Sequence, residues 1–215
     1  MIYLCILDFE ATCVNPSNGN INEIIEFPSI LLQWDCNVLG SGGSKIVEVA
    51  RFQEYVKPKD NPKLSTFCTD LTGITQEQVN NAKTFPEVFE LHQKWISKYV
   101  TIDDQCIIVT CGNWDIESML PKDIKRHKLK CPALYKQFCN IKTVFQNRYK
   151  VRPRGLQNML RIIKEKFEGR QHSGIIDCHN IAKIMVKLVN DKIKKSDIII
   201  QNVSHKYRDN VILIK

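Results

Sequence analysis

An α/β fold with a mixed central sheet is the architecture this sequence predicts, and three observations predict it. Three strand-like segments joined by turn-rich connections open the chain. Helical periodicities and short apolar strands alternate after residue 85, and one long apolar stripe at helical spacing runs through residues 178–189. With 215 residues, 43% apolar and 25% charged, the chain suits one domain with a substantial core. No repeat or linker interrupts it.

The elements follow in order. Ile2 to Phe9 reads as a buried strand, and NPSNGN at 15–20 is turn chemistry. Ile24 to Gly40 is a second strand region, where Pro28 signals an irregular or edge start. The GSGGS connection at 40–44 leads into a third strand, KIVEVARFQEYVKP, so the three form an antiparallel meander. Phe85, Val88, Phe89, His92, Trp95, Ile96 and Tyr99 recur at helical spacing, with Thr84 capping the start ahead of Pro86. CIIVT at 106–110 is a short buried strand, and NWDIESML opens a helix with Asn113 as candidate N-cap. A strand is expected at 138–144 and a helix from Gly155 to about Phe167. The last helix starts near Ser173, and its stripe is Cys178, Ile181, Ala182, Met185, Leu188 and Val189. Beyond Asp191 the chain turns basic and polar before an apolar finish at 211–214, which leaves strand and disorder both open. The domain is therefore bounded at 1–191, with 192–215 as a basic C-terminal extension.

Bulk chemistry narrows the partners. A net charge of +8 and a pI near 9.0 favour an anionic partner, nucleic acid first and an acidic membrane surface second. On charge alone, a basic protein with no polyanion ligand stays open. Nine cysteines include no C-x2-C pair, which argues against a zinc module. Their odd count and apolar settings fit reduced, buried thiols and a cytoplasmic or nuclear location. No long apolar run or signal-peptide flank appears, so no membrane partner is expected.

Two acids at the end of the first apolar run carry the functional reading. Asp8 and Glu10 are i and i+2 on a strand and share one face, while Phe9 packs on the other. Like charges side by side are costly unless a cation bridges them, and hard divalent ions take carboxylate oxygens. A solvated strand end is the alternative. Asp115 lies in the first turn of a helix after CIIVT, where the dipole favours a carboxylate, although a plain helix-start Asp looks the same. Asp177 borders the apolar stripe of the last helix and needs a partner. His172 stands in the loop just ahead, either a surface histidine or a candidate general base.

Asp8, Glu10, Asp115, His172 and Asp177, in that order, resemble the DEDDh superfamily of 3′-to-5′ exonucleases. DFEATC, NEIIEFPSILL, FQEYVKP, LSTFCTDLTGIT, TFPEV, WDIESML and HSGIIDCHNIA resemble its enhanced-RNAi subfamily, which includes the histone-mRNA and ribosomal-RNA 3′-end trimmers. The resemblance spans about Tyr3 to Asp191. It implies an RNase-H-like fold and a two-metal phosphodiesterase using two Mg2+, with Mn2+ as substitute. Carried over, Asp8 would bridge both ions, Glu10 and Asp177 would support the ion holding the nucleophile, and Asp115 would hold the second. His172 would take the proton from the attacking water. Among substrate contacts, Phe9 and Ala11 would flank the metal-binding acids, Leu71 and Thr72 would line the terminal nucleotide, and Trp114 would sit beside Asp115; core packing is the alternative for Leu71 and Trp114. Arg152, Arg154, Lys164, Lys166 and Arg170 would guide phosphates or form a solvated face. Ile176 stands where an acid often precedes the last catalytic Asp.

The implied activity is removal of nucleotides from the 3′-hydroxyl end of single-stranded RNA, with DNA left open as a second substrate, by a protein expected to be monomeric. The alternative is an inactive nuclease fold that binds RNA or a partner.

Overall fold

The computed structural model of the chain describes residues 1–14, 22–36 and 44–203. The turn expected at 15–20, nearly all of the connection at 40–44 and the apolar finish at 211–214 lie outside them.

Alternation along the first strand sets both faces of the sheet. β1 (Ile2–Leu7) is buried throughout, and its successive side chains point to opposite sides. Ile2, Leu4 and Ile6 join one core with Cys178, Ile181 and Met185, whereas Tyr3, Cys5 and Leu7 join another with Val88, Phe89 and Trp95. Helices thus cover the sheet on both faces. A short β2 (Glu10–Ala11) pairs with β3 (Ile24–Asp35). β1 runs antiparallel to β3, and β3 antiparallel to β4 (Lys45–Lys57), which is the expected meander. The sheet continues through β5 (Lys83–Thr84), β6 (Gln105–Thr110), β7 (Gln137–Asn140) and β8 (Ile200–Asn202) in the order β5-β4-β3-β1-β6-β7-β8. β6 is parallel to β1 and β7 is parallel to β6, so the sheet is mixed.

The helices are α1 (Thr66–Thr72), α2 (Gln76–Asn80), α3 (Phe85–Ile96), α4 (Leu120–Arg126), α5 (Ile141–Tyr149), α6 (Leu156–Ile162) and α7 (Gly174–Asn190). A π-helical turn, Asp115–Met119, leads directly into α4. At the start of α3, the N–H and Oγ1 of Thr84 donate to Glu87 at 2.7 and 2.6 Å, with Pro86 in the first turn, so that boundary is as expected. Among the described residues, no helix is long and apolar enough to cross a membrane.

Several local expectations change. β1 stops at Leu7, short of Phe9. Its register carries on into β2, with Leu7 opposite Ser29 and Glu10 opposite Glu26, which sets Asp8 opposite Pro28. Proline has no N–H to give the ladder, and the strand lapses there. The strand expected at 138–144 ends at Asn140, whose Oδ1 accepts the Lys142 N–H at 3.0 Å and starts α5. α6 ends well before Phe167 because Lys164 turns left-handed at φ 61°. Asn113 caps no N–H with its side chain: its Oδ1 accepts from Asn140 at 2.8 Å, and its Nδ2 donates to Glu117. After Asp191 the chain stays with the domain as far as Val203, burying Ile193 and Ile198 and pairing β8 with β7.

Candidate active site

β1 and β6 are parallel neighbours, so their carboxyl ends open at one edge of the sheet, where α/β folds gather their ligands. Asp8 follows β1 and Asp115 follows β6. Asp115 is buried at the start of the π-helical turn, and its Oδ1 accepts the Phe9 N–H at 3.0 Å. The Phe9 ring faces the opposite core, edge-on to Phe27 at 4.6 Å. Asp177 projects from the first turn of α7 and is buried. One oxygen from each of Asp8, Glu10 and Asp177 lies within 4.8 Å of the others.

These acids strain against one another. Burial pushes Asp8 well above the usual carboxylate range, and the charges of Asp115, Asp177, Glu10 and Glu26 push it further. Glu10 is raised to about 8, by burial first and then by Glu26, Asp177 and Asp115, with Arg170 pulling the other way. Burial lifts Asp115 to about 6 against the N–H groups of Phe9 and of Asp115 itself and the charge of Lys142. Asp177 also reaches about 6, again through burial, while the N–H groups of His172 and Ser173 hold it down. A divalent cation relieves this repulsion, and three converging carboxylate oxygens are the donor set a hard ion takes. The residues fit such an ion.

The helix that brings Asp177 is seated by a residue the sequence reading gave no role. Glu26, buried on β3 opposite Glu10, accepts the N–H of Gly174 at 3.0 Å and of Ile175 at 3.3 Å, and Nε2 of Gln53 at 2.8 Å. The first N–H groups of a helix lack intrahelical partners and favour a negative charge. Gly174 permits the seat, because a Cβ there would stand 2.7 Å from the Asp8 carbonyl oxygen and from Pro28. The one legible signal was an acid placed inside the apolar run IIEFPSILL.

A cleft of about 570 Å3 holds Asp8, Asp177 and His172 on its lining. His172 is exposed and left-handed, at φ 57°. Of the predicted basic cluster, Arg154 lines the cleft, joined by Lys142 and Arg161, which sequence reasoning missed. Trp114 is 47% exposed, which removes core packing as its role, and Leu71 is half-buried. Phe9, Ala11 and Thr72 are buried. The Thr72 hydroxyl is engaged locally, donating to the Cys68 carbonyl at 2.8 Å and accepting from the Ile74 N–H at 3.1 Å. Leu71 and Trp114 are therefore the predicted contacts whose side chains are open to a base. All nine cysteines are free, and none joins the carboxylate group.

Comparison with known proteins agrees with this geometry. The exonuclease family profile (RNase T) matches residues 5–185. The 3′-5′ exoribonuclease 1 of Mus musculus is 41% identical over 197 residues, covering 88% of this chain and 53% of that protein. The ERI1 exoribonuclease 3 of Homo sapiens is 38% identical over 189 residues, covering 86% and 53%. The chain thus spans about half the length of the curated relatives it matches. Among solved structures, the nuclease domain of 3′hExo, a DEDDh family member bound to rAMP, aligns with a TM-score of 0.80 at 36% identity over 94% of this chain and 97% of that one. A 3′-exonuclease described in 3′-end-specific recognition of the histone mRNA stem-loop aligns at 0.79 and 34% identity, covering 95% and 91%. The RNase-H-like α/β fold, the sheet-edge acids and these matches agree: the chain belongs to the exonuclease family and is similar to its DEDDh 3′-to-5′ exoribonucleases.

Proposed function

We propose that the protein is a metal-dependent 3′-to-5′ exonuclease that removes nucleotides from the 3′-hydroxyl end of single-stranded RNA, and of DNA, releasing nucleoside 5′-monophosphates. The observation that carries this reading is the convergence of Asp8, Glu10 and Asp177 within 4.8 Å, with His172 on the same cleft. Two Mg2+ ions, or Mn2+ in their place, would be held by Asp8 in common, by Glu10 and Asp177 on one side and by Asp115 on the other. When bound, such ions supply an activated hydroxide and charge stabilisation at the phosphorus.

The chain's own groups do the rest. The imidazole of His172 accepts a proton from the attacking water, as a neutral histidine ring nitrogen can. Lys142, Arg154 and Arg161 neutralise the phosphate drawn into the cleft. Trp114 and Leu71 offer apolar surface to an unpaired base, a contact that tolerates any sequence. Such a site needs a free strand end.

The test is shortening of a 5′-labelled single-stranded RNA with Mg2+ or Mn2+, against the same mixture with chelator. Stepwise loss of mononucleotides supports the proposal. Binding without shortening would instead make the chain an RNA-binding module on a nuclease fold. The same assay with single-stranded DNA and a 3′-overhang duplex measures sugar and strand preference.

A further inference from the structure

We propose that Arg170 is a positioning residue that latches the loop carrying His172 to the C-terminal end of α1, which carries Leu71 and Thr72. The inference rests on the exonuclease reading and deepens it. Residues 163–173 cross from α6 to α7 and include left-handed turns at Lys164, Gly169 and His172. Such a path needs external ties to stay in one conformation. Two ties run to α7. Buried Asn180 accepts the Glu168 N–H at 3.0 Å and donates to the Glu168 carbonyl at 2.9 Å, while the Asp177 N–H donates to the Ser173 carbonyl at 2.8 Å.

Arg170 makes a third tie in the other direction. Its Nη2 donates to the carbonyl of Asp70 at 2.6 Å and of Leu71 at 3.3 Å. The last carbonyls of a helix lack helical partners, and a cation there also suits the dipole. Space for the guanidinium comes from Gly73, the αL residue that ends α1 at φ 76°. A Cβ at Gly73 would lie 1.7 Å from Arg170 Nη1 and 2.8 Å from Cζ. Thus one end of the span holds a residue open to the terminal base, and the other holds the proton acceptor. Arg170 sets the distance between them.

The test makes Arg170→Ala and Gly73→Ala, singly and together, in the full chain. Shortening of a 5′-labelled single-stranded RNA with Mn2+ is followed across substrate and salt concentrations. If the latch aligns the base, Arg170→Ala lowers kcat by about tenfold or more and changes KM much less. Gly73→Ala also lowers kcat, but adds little in the Arg170→Ala background, because the methyl group displaces a guanidinium already gone. Hydrogen exchange at residues 170–173 gives a readout independent of turnover, and it rises in both single variants. Unchanged exchange overturns the latch whether or not the wild type cuts RNA. Additive kcat losses overturn it too. A raised KM with a shallower salt dependence would make Arg170 a phosphate contact instead. Exchange that rises as expected in a protein that never shortens RNA keeps the latch and defeats only the exonuclease reading.

Discussion

Glu26 and Gly174 meet at 3.0 Å, a buried carboxylate on β3 accepting the first N–H of the helix that delivers Asp177. Glu26→Ala leaves that N–H and its neighbour at Ile175 without their acceptor and should cost about 1–3 kcal/mol in urea unfolding. Glu26→Gln keeps an acceptor and removes a charge facing Glu10, so its loss should be less than half as large. Equal losses in the two variants would show that the charge, not the acceptor, seats α7.

Asp8→Asn should abolish turnover yet stabilise the metal-free protein. Asp8, Glu10, Asp115 and Asp177 all have folded-state pKa values above their ordinary ones. Between the usual carboxylate range and about 8, the folded state therefore holds more protons than the unfolded state, and stability falls as pH rises. Asp8→Asn removes the group with four like-charged neighbours. Its melting temperature should exceed that of the wild type by a margin that widens from about pH 5 to about pH 8. His92, buried and lowered to about 3, contributes the opposite slope on acidification, but it is common to both proteins and cancels. A constant margin would contradict the mutual repulsion.

Divalent metal should reverse that slope. Mn2+ added at about 100 times its dissociation constant should stabilise the wild type by about 2.7 kcal/mol. At one fixed Mn2+ concentration the shift should be larger at pH 8 than at pH 5, where protons compete for the same oxygens. Asp8→Asn should lose most of it, and chelator should end RNA shortening. Thermal melts with and without chelator check each point.

Trp114 and His172 should separate in steady-state kinetics. Trp114 is 47% exposed, so Trp114→Ala should leave the melting temperature nearly unchanged and cost about 1–3 kcal/mol of RNA binding, seen in KM. His172→Ala should lower kcat by about 10²–10⁴ and leave KM nearly alone. The reverse pattern would exchange their roles.

Much of this was legible because it is periodic. The apolar run from Ile2 marked a buried strand, though not which side chains face which core, and the stripe from Cys178 to Val189 gave α7. The order of the acids carried the family resemblance, and three of them, Asp8, Glu10 and Asp177, come together in the fold. What escaped depends on single contacts over long separations. Nothing local tells that Glu26 caps α7, 148 residues away. Pro28 announced an irregularity but not that it would fall opposite Asp8. α1 and α2 are too short for an apolar period to show, and their signatures are caps, Ser65 accepting from the Cys68 N–H and Thr75 boxed with Gln78. The strand expected at 138–144 gives way to helix at Ile141, where the Asn140 side chain caps α5.

Because the Asp177 N–H donates to the Ser173 carbonyl at 2.8 Å, the first turn of α7 holds proton acceptor and ligand at one fixed spacing. One residue inserted between them would swing the carboxylate by about 100° around α7 and off the cleft. The stretch separating Ala11 from Asp115 is under no such rule, since its turns can lengthen without rotating either acid. Deletion and insertion scanning should accordingly find a rigid metre at 172–177 and elastic spacing before it.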